Sequence, residues 1–152
     1  MSFNIREAKQ EDSHQIIPLA IELYSIDAYT AKDLVENYPE VFKAEWTKLN
    51  FSAWLIFVAE VEGSIVGYIK GRIIPWSSPV LILKNAAVVE EFVVDSSWRG
   101  QGIGRALMET FEETVHDDVD RIVLNAGATN PAIAFYEKAG FRILSHRMEK
   151  RY

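Results

Sequence analysis

The chain contains no cysteine. That excludes a disulfide scaffold, a thiolate metal site and a cysteine nucleophile. It also contains no apolar run of about 18 residues, the length a membrane-spanning helix requires; its longest clean run, residues 54–59, is strand-sized. Met1 to Asn4, followed by Ile5-Arg6-Glu7, offers no basic head before an apolar stretch, so no secretory leader and no membrane partner are expected. Histidine is sparse. His14, His116 and His146 stand apart without metal-ligand spacing, so no metal is expected. There is no G-x-S-x-G elbow to suggest a covalent serine enzyme. A basic excess is missing too: 16 Lys and Arg face 22 Asp and Glu, a net charge of −6, which argues against a nucleic-acid partner held by its phosphates. No repeat, low-complexity tract or Ser/Gly/Pro linker divides the chain.

What remains is an ordinary globular composition. Hydrophobic residues make up 49% and charged residues 25% of 152 positions, which predicts one domain over residues 1–152 with a substantial core. Residues 3–8 read as a strand. A helix follows from Gln10, with Ile16, Ile17, Ala20, Ile21, Leu23 and Tyr24 on its apolar side and Pro18 as a kink or late start. Thr30 with Asp33 resembles a helix cap, so a second helical segment is expected from there, with Pro39 disturbing it. Residues 54–61 and 65–74 flank Glu62-Gly63-Ser64 as a hairpin. A loop at 75–79, a short strand at 80–83 and a longer one at 87–94 come next. A helix spans 102–116, with Ile103, Leu107, Phe111 and Val115 on one face. A strand at 121–126, a helix at 131–139 ended by Gly140, and a last strand at 141–148 complete the reading. The class is α/β, or α+β with one mixed sheet.

The surplus of acids lies in residues 1–50, which hold 9 acids and 5 bases. Solubility accounts for it; a site for a cationic ligand is the functional alternative. Tyr24, Asp27, Tyr29, Asp33, Glu36, Tyr38 and Glu40 form an aromatic and acidic stretch that suits either an amphipathic helical region or a cationic pocket.

The most informative segment runs from Val93 to Leu107. A strand passes through Trp98-Arg99-Gly100-Gln101-Gly102-Ile103-Gly104-Arg105 into a helix. Backbone N–H groups at the start of that helix converge on one spot, which suits an anion such as phosphate. Arg99 and Arg105 add charge for a pyrophosphate. The spacing is neither G-x-G-x-x-G nor a Walker loop, so dinucleotide and P-loop sites are disfavoured.

Arg99-x-x-Gly102-x-Gly104 resembles the acetyl-CoA pyrophosphate motif of the GNAT superfamily of N-acyltransferases. Asn130-Pro131-Ala132-Ile133-Ala134-Phe135-Tyr136-Glu137-Lys138-Ala139-Gly140-Phe141 resembles that superfamily's C-terminal segment. The resemblance covers residues 87–141 and is diffuse before them. It implies a central mixed, mostly antiparallel sheet flanked by helices. It also implies acetyl-CoA as donor, a cytoplasmic enzyme and a homodimer. Gly100, Gln101, Gly102, Ile103 and Gly104, with Arg99 and Arg105, would hold the pyrophosphate. Backbone groups of Phe92, Val93 and Val94 would pair with the pantetheine arm. The family's asparagine seven residues before the helix tyrosine is Thr129 here, with Asn130 one residue later. Either, or neither, would bond the pantetheine arm.

Acetyl transfer to an amine needs an acceptor for the amine proton and a donor to the leaving thiolate. The resemblance assigns Tyr136 as that donor. Glu90 and Glu91 interrupt the apolar strand Val88-Val89-Glu90-Glu91-Phe92. Alternation turns neighbours in a strand to opposite faces, so one of them at most is expected in the acceptor cleft. The segment resembles the Glu-Asp-Phe-Phe-Val strand of diamine N-acetyltransferases, which assigns the proton acceptor to Glu90; a solvated or salt-bridged role is the alternative. The expectation is an N-acetyltransferase acting on a small-molecule primary amine, a polyamine or an amino-acid-like compound. Its alternatives are a protein or peptide acceptor, or an acyl-CoA-binding module without turnover.

Overall fold

A computed structural model describes residues 2–26, 33–75, 79–83 and 85–152. Five strands form one sheet in the order β1-β2-β3-β4-β5: β1 Asn4–Glu7, β2 Leu55–Val61, β3 Ser64–Pro75, β4 Asn85–Val94 and β5 Arg121–Leu124. The first four pair antiparallel and the last pair, β4 with β5, is parallel. The β2–β3 hairpin turns through Glu62 and Gly63, both at positive φ, which matches the twist of the strands it joins.

Helices cover both faces. On one side lie α1, Ser13–Ile26, and α2, Tyr38–Lys48. Ile16, Leu19, Ala20 and Trp46 from these helices bury against Ile56, Val58, Ile65, Tyr68 and Val93 of the sheet. On the other side lie α3, Ile103–Val115, and α4, Ile133–Lys138. The apolar stripe Ile103, Leu107, Phe111 and Val115 is at most 1% exposed and packs on Ala59, Val66, Ile69, Ala87 and Val89. α1 is anchored at its start by Asp12, which accepts from the Arg6 guanidinium at 2.7 and 2.9 Å and from the Lys9 N–H at 2.7 Å. These bonds, and the Arg6 charge above all, hold the Asp12 carboxyl below its ordinary range against the opposing effect of burial.

Three expected elements differ. The second helix starts at Tyr38, with Pro39 in its first turn, where the missing N–H is not needed, whereas Pro18 lies inside α1, whose helix runs through it from Ser13; Thr30, the expected cap, lies outside the described residues, as do 76–78 of the expected loop. Residues 80–83 form no strand. The β3–β4 ladder closes at Pro75↔Asn85, so this run lies beyond it, and Val80 and Ile82 are 86% and 93% exposed. Residues 141–148 form no strand either. Neither alternating set, Phe141-Ile143-Ser145-Arg147 or Arg142-Leu144-His146-Met148, makes a continuous apolar face, and only Phe141 joins the core.

Candidate active site

The centre of the molecule is an irregularity in β4. The β3–β4 register runs Tyr68↔Val93, Ile69↔Phe92, Lys70↔Glu91, then jumps to Gly71↔Val89. Glu90 is the extra residue of a β-bulge. Gly71 permits it: a Cβ there would lie 2.4 Å from the Val88 carbonyl oxygen and 2.7 Å from the Phe111 ring. At the same place β5 ends. Its parallel pairing covers Ala86–Val89 and stops at Leu124. Beyond Val89, β4 therefore has a partner on one side only, and its other edge is open.

The bulge corrects the expectation that Glu90 and Glu91 point to opposite faces. Two successive residues oppose one, so alternation is lost at that point. Glu91 follows Val93 onto the α1/α2 side, and Glu90 stays on that side as well. Their partners show it: Lys70 Nζ meets Glu91 Oε1 at 2.5 Å, and Arg72 Nε meets Glu90 Oε1 at 3.0 Å. Both cations lie over the Trp54 ring, at 4.5 and 5.0 Å from its centroid. Lys70 also lies 5.1 Å from the Trp46 centroid. The Tyr68 hydroxyl donates to Glu91 Oε2 at 2.6 Å, so both Glu91 oxygens are engaged. Glu91 and Lys70 are buried, whereas Glu90 and Arg72 side chains keep 31% and 51% of their exposure. Tyr68, Lys70, Arg72 and Trp54 were not among the residues singled out from sequence. The readable sign was Lys70-Gly71-Arg72 inside an apolar strand.

Tyr24 belongs to the same side. It packs on Phe42 with ring centroids 4.5 Å apart. Burial first, then the charges of Glu91, Glu90 and Glu45, push its hydroxyl up to about 12. Of the other residues in the aromatic and acidic stretch, Asp33 pairs with Arg151, while Asp27 and Tyr29 lie outside the described residues.

The open edge of β4 carries fewer free backbone groups than expected. The Asp95 N–H donates to the Val66 carbonyl and the Val93 carbonyl lies against Gly67, so residues 93 and 95 address β3. Val93 is therefore corrected: its backbone belongs to the β3 ladder. Phe92 and Val94 address the open edge, and the Val94 carbonyl there accepts from Arg99 Nε at 2.9 Å.

On the opposite side of that edge stands an aromatic cluster. The Phe92 ring lies 5.5 Å from Phe135 and 6.2 Å from Tyr136, and Tyr136 lies 5.9 Å from Phe141. Burial alone raises the Tyr136 hydroxyl to about 12. Gly104 of α3 faces this cluster: a Cβ there would sit 3.4 Å from Phe92 and 3.7 Å from Phe135, in ordinary van der Waals contact.

The glycine turn precedes α3, with Gly100 and Gly102 at φ +76° and +86°. Gly102 is the N-cap, and open space surrounds the Cβ position of both. Gln101 and Arg105 are exposed, and Ile103 is buried under the turn. Asn130 Oδ1 accepts from the Ala132 N–H at 2.8 Å, which commits that oxygen to the start of α4; Thr129 is exposed. Among the described residues no group of three or more His, Cys, Asp or Glu could hold a metal, and no helix is long and apolar enough to cross a membrane.

Comparison with known proteins adds to this geometry. Residues 22–141 match the model of the Acetyltransferase (GNAT) family. An N-alpha-acetyltransferase of Saccharolobus solfataricus is 35% identical over 149 residues, covering 92% of this chain and 80% of the relative. The crystal structure of a tetramutant of the protein BH1408 from Bacillus halodurans superposes with a TM-score of 0.81 at 23% identity, covering 98% and 99% of the two chains. An aminoglycoside N-acetyltransferase solved in complex with CoA shares the fold with a TM-score of 0.72 at 14% identity, covering 99% and 95%.

Proposed function

Because the chain belongs to the GNAT acetyltransferase family and is an acetyl-CoA-dependent N-acetyltransferase, we propose that it works as one domain in which a primary amine attacks the thioester directly across the open edge of β4. The observation that carries this reading is the slot itself. β4 loses its β5 partner at the bulge, with Tyr136 near one face and Glu90 and Arg72 on the other.

In this reading the pyrophosphate lies on the turn at residues 100–104, against the N–H groups of the first turn of α3 and the charges of Arg99 and Arg105. The pantetheine arm runs along the open edge, and the Phe92 N–H polarises the thioester carbonyl. The amine arrives from the α1/α2 side. Glu90 accepts its proton, directly or through water; Glu91, with both oxygens engaged, holds Lys70 and Tyr68 in place. The thiolate departs toward Tyr136. With its hydroxyl near 12, Tyr136 is fully protonated at neutral pH. Full transfer of its proton to a thiolate of ordinary pKa, about 8.5, would be uphill by roughly 3.5 units, or about 5 kcal/mol. Its part is therefore a hydrogen bond to the developing thiolate, which leaves as the anion and takes its proton from solvent, while Tyr136 keeps its own. Without cysteine no thiol acyl-enzyme forms.

The acceptor we favour is the α-amine of a polypeptide. Its support is the name of the relatives, N-alpha-acetyltransferase, together with the charge balance of the acceptor side. Lys70 and Arg72 neutralise Glu91 and Glu90, so a polycation meets two positive groups as well as two negative ones. A small-molecule amine is the second reading. It is favoured by the likeness of residues 90–94 to the diamine N-acetyltransferase strand. The reading extends to a cytoplasmic enzyme and a homodimer, as the family leads one to expect.

Release of free thiol from acetyl-CoA, measured with pools of N-terminal peptides, polyamines and free amino acids, tests it. Turnover with the peptide pool is the expected outcome. Turnover with polyamines alone would replace the acceptor, and CoA binding without turnover on any pool would leave an acyl-CoA-binding module.

A further inference from the structure

Two ion pairs lie side by side on the acceptor side of the slot, and they differ in kind. Lys70–Glu91 is sealed: its side chains are 9% and 6% exposed, and both oxygens of Glu91 accept hydrogen bonds. Arg72–Glu90 is open to solvent and joined by a 3.0 Å contact through Nε. The Arg72 guanidinium lies over the Trp54 ring, so its position is fixed by an aromatic face as well as by a carboxylate. It also lies on the face of the bulge where the amine is read to arrive.

We infer that Arg72 is a specificity-determining residue that selects acceptors carrying a carboxylate beside the reacting amine, the favoured class being a polypeptide N-terminus whose first residue is acidic. The inference rests on the α-amine reading above. Such a terminus is itself a compact ion pair. Three bonds separate the nitrogen of an N-terminal aspartate from its side-chain carboxylate carbon, a span of about 3 Å. Laid antiparallel on Arg72–Glu90, its ammonium meets Glu90 and its carboxylate meets Arg72, so four charges alternate in sign. Before attack the ammonium gives up its proton, and its attraction to Glu90 falls. The carboxylate held by Arg72 is unaffected by that loss and keeps the amine aimed at the thioester, where orientation counts most. A lysine-rich terminus or a polyamine brings a second cation toward Arg72 instead.

Peptides identical except for a first residue of Asp, Asn, Ala or Lys, assayed by kcat/KM at saturating acetyl-CoA, test this. The wild-type enzyme should prefer Asp over Asn by about tenfold, the worth of one charge-assisted contact. In Arg72→Gln that ratio should fall to one or below, and in Arg72→Glu the Lys peptide should overtake the Asp peptide. The ratio is internal to each variant, so partial loss of folded enzyme does not move it. An Asp to Asn ratio near one in the wild type, or an unchanged ratio in Arg72→Gln, overturns the inference while the α-amine reading stands. Failure of the wild type on all four peptides, with turnover of a polyamine, overturns both.

Discussion

On the α3 side, β3 and β4 present Ile69 and Val89 to an apolar cluster that includes Phe111, Leu107 and Ile103. On the α1/α2 side the same two strands present Tyr68, Lys70, Arg72, Glu90 and Glu91 over Trp54. One pair of strands thus builds a dry core on one face and a network of ion pairs on the other. The dry face tolerates any well-packed apolar set. The charged face is held by specific partners, and a buried charge there is costly as soon as its partner is removed. The bulge belongs to both faces: Gly71 admits Phe111 on the first and lets Glu90 slip onto the second.

The largest expected effect separates the two faces by how they can be rescued. Phe111→Ala should cost about 3–5 kcal/mol, as for a large buried aromatic, with no compensating change at a distance. Lys70→Met should cost about 3 kcal/mol or more by stranding Glu91, whereas the triple replacement Tyr68→Phe, Lys70→Met, Glu91→Leu should recover most of it. Urea unfolding of the four proteins checks this. A triple variant less stable than Lys70→Met would show that the network stabilises the fold in its own right.

The next effect crosses the open edge. Tyr136→Phe should lower kcat by about 10²–10⁴ while leaving acetyl-CoA affinity nearly unchanged. Because the hydroxyl lies near 12, any alkaline limb of the wild-type rate below about pH 10 should persist in the variant. Wild-type kcat in Tyr136→Phe would remove the residue from the chemistry.

Within the charged face, Glu90→Gln and Glu91→Gln should fail differently. As proton acceptor, Glu90 should take with it the acidic limb of the pH–rate profile and about 10²-fold in kcat. Glu91→Gln should lower stability first. A raised acceptor KM with intact kcat in Glu90→Gln would make that residue an attractor of the ammonium rather than a base.

The smallest effect is on acid stability, and it has opposite signs on the two sides. Asp12 at the start of α1 is held below its ordinary pKa, chiefly by Arg6. Its contribution is present above about pH 4, the unfolded value, and is lost as pH falls through the lower folded value. Glu112 on α3 is raised, by burial and then by Glu109, so the folded state binds that proton more tightly and acidification through its range is stabilising. Urea midpoints at pH 7 and 3.5 should therefore converge for Asp12→Asn and diverge for Glu112→Gln. Equal shifts in both variants would refute the assignment.

Much of this was legible without coordinates. Residues 54–61 and 65–74 are strand-sized apolar runs that flank Glu62-Gly63-Ser64, and the hairpin lies there. Ile103, Leu107, Phe111 and Val115 mark the buried stripe of α3. Two motifs at their separation pointed to the GNAT family. These signals are local, because periodicity, turn chemistry and a glycine-rich helix entry are set by neighbours in the chain. The α1/α2 side was not legible in the same way. Residues 141–148 read as a strand in the sequence, but neither alternating set offers a continuous apolar face to the core, and only Phe141 packs there. Glu90 and Glu91 obeyed alternation on paper, and the bulge removed it. A bulge is a property of two strands at once: it depends on Gly71 giving way to the Val88 carbonyl across the ladder, seventeen residues along the chain. The residue types therefore determined the kind of chemistry this protein carries. Only the pairing of β3 with β4, and the end of β5 beside it, decided which carboxylate is sealed by Lys70 and which stays half-exposed beside Arg72.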